Sequence, residues 1–250
     1  MIHPTAIVSP KAKIGNNVSI GHYTVIYDNV EIGDNTVIEG FCEIGYPTKL
    51  AEGKPLVLGN HSYIRSHSIF YEGSTFKEKL VTGHRVTVRE KTHAGLNLQI
   101  GTLSDFQGDC EIGDYVRTHS NVHIGKHSKI GNYIWIFPYV VLTNDPHPPS
   151  EVMMGVTVKD FAIIATMTVI LPGVTIHEHS LVAAHSMVNR DVPQGMVVAG
   201  HPAKVICEAS SVKFKNNKEL SVYPWPRHFH RGYPDSVIEE WKLTFGEIKV

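Results

Sequence analysis

A six-residue period runs through most of the chain and narrows the folds open to it more than any other feature. Stepping by six from Ile2 reaches Val8, Ile14, Ile20, Ile26, Ile32, Ile38 and Ile44, every one aliphatic. The step resumes from Leu58 to Leu142, and again from Val158 to Val188. Of the 29 key positions in these runs, 23 are Ile, Val or Leu, which chance does not produce. Four residues after a key position the side chain is usually small or β-branched, as at Ala6, Ala12, Thr24, Ala162 and Ser180. Gly often follows the key residue, with Asn or Asp behind it, as in Ile14-Gly15-Asn16 and Ile32-Gly33-Asp34; this supplies turn chemistry. Period six matches neither a 3.6-residue helix nor the two-residue alternation of a flat sheet. It fits a short strand and a corner, repeated, with the aliphatic residue pointing into a narrow tube.

The pattern resembles the hexapeptide-repeat family, in which three rows close one triangular coil of a left-handed parallel β-helix. The resemblance, and not the period, implies the handedness. The expected fold is therefore all-β: a left-handed parallel β-helix of nearly ten coils over residues 1–206, roughly 45 Å long at ~4.8 Å per strand. The step drops out at 46–57 and 143–157, two loops rich in Pro or Gly, and loops interrupting a rigid repeat commonly carry binding functions. A C-terminal extension, 207–250, is expected to dock on the rod, with a short helix capped by Asp235.

Composition excludes other classes. With 23 basic and 24 acidic residues the formal net charge is −1, so no global basic footprint calls for nucleic acid or an anionic membrane. No long apolar run is present to span a bilayer. The chain opens MIHPTAIVSPKAKIG, without the apolar stretch of a secretory signal, and the expected location is cytoplasmic. Cys42, Cys110 and Cys207 are scattered and read as small apolar fillers.

Three rows per coil bring residues eighteen apart side by side. Counting back from Asn144 gives Lys126, Gly108, Glu90 and Glu72; counting back from His147 gives Lys129, Glu111 and His93. Asp105 stacks beside His123, and Arg89 beside Gln107. One edge thus gathers carboxylates, imidazoles and amides. Gly108 is expected to leave an opening there, and the like-charge stack of Glu72 and Glu90 calls for something cationic or hydrogen-bonding beside it, such as a substrate ammonium.

Particular segments sharpen the resemblance. IRSHSIFYEGSTFKEKLVTGHRVTVREKTHAG (Ile64 to Gly95) and VVLTNDPHPPS (Val140 to Ser150) are similar to segments of the acyl-CoA-dependent acyltransferases that acylate nucleotide-linked amino sugars. FAIIATMTVILPGVTIHEHSLVAAHSMVNRDVP, followed by AGHPAKVI, resembles the coils that hold coenzyme A. The resemblance implies transfer of an acyl group from acyl-CoA to the amine of a nucleotide-linked sugar, dTDP-linked in first place, without a metal. It implies Asn144 as the loop residue that positions the reactants. Glu72, Arg89, Glu90, His93 and Gln107 are expected to hold the acceptor. Ala165, Thr166, Ala183, Pro202 and Lys204 are expected along the coenzyme groove, with backbone N–H groups near Ala165 facing the developing oxyanion. The alternative is O-acetylation of a sugar hydroxyl with His147 as general base. Zinc-dependent relatives of this fold carry histidines five apart, and no two of the 16 histidines here are so spaced. A groove shared between neighbouring rods implies a homotrimer. Light scattering should therefore give three times the 27.8 kDa chain mass; a value near one subunit contradicts the trimer.

Overall fold

In the computed structural model, which describes residues 1–249, three sheets wrap a single prism-shaped core. Face one starts at Ile7–Val8 and has ten strands, face two starts at Lys13–Ile14 and has nine, and face three starts at Ser19–Ile20 and has eleven. Successive strands visit the faces in rotation, so strand neighbours are parallel and, except across the two loops and at the terminal hairpin, eighteen residues apart, as in Ile7↔Val25 and Val8↔Ile26. The architecture is the left-handed parallel β-helix that the resemblance implies. Strand Ala203–Glu208 closes the end of face three by pairing antiparallel with Met196–Gly200. The hairpin thus runs on past residue 206, into the segment expected to belong to the extension, whose last residue, Val250, lies outside the described residues.

Each key side chain points into the prism. Ile44, Ile64, Val88, Ile124, Ile136, Leu142 and Ile164 are fully shielded from solvent, and full burial of such a side chain is worth roughly 1.5–3 kcal/mol. The six non-aliphatic key positions follow from packing volume. Phe70 and Phe76 meet edge to face at 5.4 Å, and the third residue of their coil is the small Thr82. Phe106 shares its coil with Ile112 and Thr118, and Ala94 sits between the Phe76 and Ile112 levels on face two. Large and small residues alternate so that a prism of fixed cross-section stays close-packed.

The corners correct a simple view of the glycines. The left-handed backbone position is the third residue after the key, and it is held by non-glycine residues such as Asn17 (φ 55°), His61 (φ 57°), Tyr133 (φ 57°) and Phe161 (φ 61°). Such a conformation costs an L-residue roughly 1–2 kcal/mol. Stacking along the corner offsets part of this: Tyr115, Tyr133, Phe161 and His179 form a column with ring centroids 5.4, 5.0 and 4.8 Å apart. Glycine after the key serves close approach instead. A Cβ on Gly15 would lie 2.5 Å from Asp34 Oδ1 and 2.8 Å from Asp34 N. The Asn or Asp that follows accepts from the corner amide of the coil below: Asn16 N donates to Asp34 Oδ1 at 2.6 Å, and Asp34 N to Asn60 Oδ1 at 2.8 Å. The small residue at the fourth position closes the corner, as where Ser128 Oγ donates to Gly125 O at 2.6 Å.

Both repeat-breaking segments leave the same corner, between faces one and two. The first carries a short 3-10 turn, Lys49–Ala51, and rejoins face two at Leu56; the second rejoins it at Thr157. The tail covers the far side of the rod. Its Trp225, Tyr233 and Trp241 form a second buried cluster with Tyr115, and the Arg117 guanidinium lies 4.9 Å over Trp135 and 4.7 Å over Tyr233. The helix spans Asp235–Phe245, but Asp235 is its first helical residue and makes no side-chain cap; Pro234 occupies the flanking position. Asp235 instead places a carboxylate in the first turn, where the helix dipole favours it.

Truncating a shielded core residue should leave a cavity that a rigid prism cannot collapse. Phe106→Ala is expected to cost about 3–5 kcal/mol, read as a lowered midpoint in thermal or denaturant unfolding.

Candidate active site

The corner between faces one and two carries a column of residues two past the face-one key: Glu72, Glu90, Gly108, Lys126 and Asn144. Both carboxylates of this column already have protein partners. Glu90 is fully buried and accepts from Arg89 through Nε at 3.3 Å and Nη2 at 3.2 Å. Glu72 accepts from Thr48 N at 3.1 Å and from Asn29 Nδ2 at 3.3 Å, which ties down the 46–57 loop. The cationic and hydrogen-bonding groups that their stacking calls for thus come from the protein, a guanidinium and local donors, and not from a substrate ammonium. Gly108 is likewise not an opening. It sits at φ +90°, and a Cβ there would lie 2.5 Å from Glu90 O, so glycine is required by the backbone itself. Lys126 is paired with Asp109 at 2.9 Å.

The polar groups left to face solvent lie on face one, beside this column. His123 Nδ1 is 3.2 Å from Asp105 Oδ2, and Gln107 Nε2 donates to the same oxygen. Burial raises the Asp105 pKa, but the hydrogen bonds from His123 and Gln107 outweigh it and hold the carboxyl below its ordinary value. An ionised Asp105 only accepts, so His123 donates through Nδ1 and its Nε2 is the open nitrogen. The column Arg89, Gln107, Gly125, Thr143 runs alongside and is bare at Gly125. The Cβ of Asn144 lies 3.2 Å from where a Gly125 side chain would begin, so Asn144 stands next to the strand that carries His123. Asn144 O accepts from Met154 N at 2.8 Å, which closes the neck of the projecting loop. Asn144 Nδ2 faces Met153 Sδ at 3.7 Å.

The other sequence-derived residues disperse. His147 is on the exposed part of the loop, where its backbone N–H donates to Asp145 Oδ1 at 3.3 Å; among the described residues nothing hydrogen-bonds its ring. It is also not the continuation of the His93, Glu111, Lys129 column, which passes to Thr157. His93 faces outward from face two and shares a 2.7 Å hydrogen bond with Thr75 Oγ1. Ala165, Thr166 and Ala183 occupy the corner between faces three and one, across face one from Asn144. The Ala165 amide donates to Val182 O at 2.9 Å, so the expectation that it faces an oxyanion is corrected. Pro202 and Lys204 are exposed on the terminal hairpin, with Lys204 opposite Ala199. Burial pushes the Cys42 thiol up to about 11 and that of Cys110 to about 12, as inert filler requires. No group of three His, Cys, Asp or Glu side chains is arranged to hold a metal among the described residues.

One chain thus assembles Arg89, Glu90, Asp105, Gln107, His123 and Asn144 at a single corner. Sequence analysis named four of these as site residues and placed Asp105 and His123 only as neighbours. The missed signal was a carboxylate eighteen residues before an imidazole, both outward-facing on one sheet.

Comparison with known proteins follows the geometry. Residues 1–46 match the bacterial transferase hexapeptide (six repeats) family. The chain is 32% identical over 215 residues to an acyl-[acyl-carrier-protein]–UDP-N-acetylglucosamine O-acyltransferase of Stutzerimonas stutzeri, covering 86% of this chain and 75% of that protein. It is 38% identical over 96 residues to a 2,3,4,5-tetrahydropyridine-2,6-dicarboxylate N-acetyltransferase of Staphylococcus aureus, covering 38% of this chain and 34% of that one. The solved UDP-N-acetylglucosamine acyltransferase of Bacteroides fragilis superposes with a TM-score of 0.55 at 19% identity, covering all of this chain and 87% of that one; this likeness concerns the fold.

A carboxyl held below its ordinary pKa stabilises the folded chain above the unfolded value and loses that contribution as the pH falls through the folded one. The wild type should therefore lose thermal stability in acid more steeply than Asp105→Asn. Parallel melting curves across acidic pH check this.

Proposed function

Since this chain belongs to the hexapeptide-repeat, left-handed β-helix acyltransferases, we propose that it moves an acyl group from acyl-CoA to the amine of a nucleotide-linked amino sugar. The observation that carries the reading is the ionised Asp105 bonded to His123, next to Asn144 at the mouth of the projecting loop. The O-acyltransferase relative supports a nucleotide-sugar acceptor, and dTDP- and UDP-linked sugars are the substrates to compare. A cationic amine bound at this corner gives its proton to the open His123 Nε2. The free amine attacks the thioester carbonyl, forming the C–N bond. Collapse of the tetrahedral intermediate breaks the C–S bond; the leaving thiolate takes the proton that the new amide nitrogen sheds, and His123 releases the first proton to solvent. Asn144 orients the reactants and cannot itself act as a base. Ala183, Pro202 and Lys204 are assigned to the coenzyme, with Lys204 as a point charge for its phosphates. Glu72, Arg89, Glu90, His93 and Gln107 are assigned to holding the acceptor, Glu72 and Glu90 by shaping the loop and corner. Assembly as a homotrimer, which brings the coenzyme residues of one copy toward the acceptor corner of the next, belongs to the same reading.

A second reading has a specific observation behind it. An imidazole oriented by a carboxylate is the arrangement a hydroxyl acceptor needs, because a hydroxyl must lose its proton as it attacks. O-acylation would then use His123 as its base, since the ring of His147 has no orienting partner among the described residues.

A screen of acyl-CoAs against dTDP- and UDP-linked amino sugars, followed by free thiol release, decides between them. Turnover with amines and not with the matching hydroxyl sugars is expected; silence with every amine but turnover with hydroxyls establishes the second reading. Under either, His123→Ala should lower kcat by about 10²–10⁴-fold and Asn144→Ala by about 10²–10³-fold, whereas His147→Asn should retain a near-normal rate.

A further inference from the structure

Face three carries a solvent-open trough of about 380 Å³, away from the corner described above. Arg65, Gln99, Thr102, Arg117 and His119 line it, and no carboxylate does. We propose that this trough binds a diphosphate ester, the nucleotide end of the acceptor, and presents it to face one of a neighbouring copy. The proposal rests on the nucleotide-linked acceptor given above.

Charge points to the ligand. A diphosphate brings negative charges that need cations not already neutralised. At the corner between faces one and two, Arg89 is spent on Glu90, Lys126 on Asp109 and Lys91 on Glu52. The two guanidiniums of the trough lack such partners. Among the described residues Arg65 is in no salt bridge, and its guanidinium lies 5.5 Å from the Tyr63 ring centroid. The Glu39 carboxylate near it accepts instead from the Tyr63 hydroxyl at 2.7 Å and from Ser66 N at 3.0 Å. Arg117 donates to the carbonyls of Arg231 and Gly232, which fix it without cancelling its charge. His119 is stacked on Phe137 at 4.8 Å. Burial and the Arg117 charge keep its pKa below the ordinary value, so the ring is neutral near pH 7 and still donates one N–H. Thr102 and Gln99 add a hydroxyl and an amide as further donors for phosphate oxygens.

The ridge beside the trough points to the second copy. Bulky residues rarely take left-handed backbone positions. Tyr23, Phe41, Leu103, Tyr139 and Met167 nevertheless do so, in one column at the corner between faces three and one, and they are 45–59% exposed. The corner between faces two and three is an internal control. Tyr115, Tyr133 and Phe161 hold the same position there under the tail, whereas exposed Asn17, Asn35 and Lys79 hold it where the tail does not reach. Bulky apolar side chains thus stand at this position where protein covers them. The uncovered ridge runs along most of the rod and suits a second rod of the same length. Parallel rods packed round an axis along this ridge turn face three of each copy toward face one of the next, and rotation keeps height. Gln99 and Arg117 lie on the same coils as Arg89 and Asp105, so the trough of one copy stands opposite the candidate site of its neighbour.

The test measures binding of dTDP, UDP, inorganic pyrophosphate and CoA to the full chain by calorimetry. Arg65→Gln should weaken dTDP and UDP by about ten- to a hundred-fold and leave CoA affinity unchanged. Loss of CoA affinity alone gives the trough to the coenzyme diphosphate and overturns the acceptor assignment. Equal affinities in wild type and variant overturn the phosphate site and leave the acceptor reading intact. If neither nucleotide binds the wild type but pyrophosphate does, with the same response to Arg65→Gln, the nucleotide-linked acceptor falls and the phosphate site stands. If pyrophosphate also fails to bind, the phosphate site falls with it. Co-expression of Arg65→Gln with His123→Ala chains, assayed at subsaturating acceptor, tests the second copy. Random assembly should restore about a quarter of the wild-type kcat/KM, because some sites then pair an intact His123 with an intact Arg65 from the neighbour. Activity no greater than that of Arg65→Gln alone overturns the second-copy arrangement.

Discussion

Three inward side chains, one from each face, must fill every level of a prism whose cross-section barely changes along the rod. That constraint imposes the six-residue period and the pairing of large with small residues at exceptional levels such as Phe70, Phe76 and Thr82. It also imposes the tight corners. Because the interior leaves so little room, each corner must turn within three residues, and one of these takes a left-handed conformation. Stacked rings, Asx ladders and buried hydroxyls stabilise those turns, and each of these devices repeats with the coil.

A structure this regular has little freedom to build a site, so the departures from the repeat show where chemistry is placed. Both loops leave the corner between faces one and two. Face one carries its hydrogen-bonded Asp105 and His123 beside that corner, at the level where the column of side chains is interrupted at Gly125. The Arg89–Glu90 pair forms a rigid floor: a buried carboxylate with its guanidinium held against Tyr71 at 5.7 Å. Breaking such a pair leaves an uncompensated charge and is costly, which fixes the position of the residues above it.

Much of this was legible in the sequence because a period is a one-dimensional signal. Ile14, Ile32 and Ile64 report the interior, and eighteen-residue spacing reports which side chains are neighbours. Bonding within a neighbour pair was not legible. Glu72 and Glu90 stack as expected, yet Thr48, Asn29 and Arg89 reach them from other columns or from a loop. The left-handed positions were hidden because Asn, His, Tyr and Phe occupy them in place of Gly. The amide of Ala165 looked free because corners look exposed in sequence, whereas every coil spends such amides on the next. The tail has no period at all, so its dock on Trp135 and Phe161 emerged only from packing.

Amide hydrogen exchange tests most directly whether the corner between faces one and two is the working site. Saturating nucleotide-linked amino sugar should slow exchange at His123 to Lys126 and across the segment 144–154, with no change in the first two coils. Protection confined to other parts of the rod or to the tail, with none at this corner, would contradict that assignment.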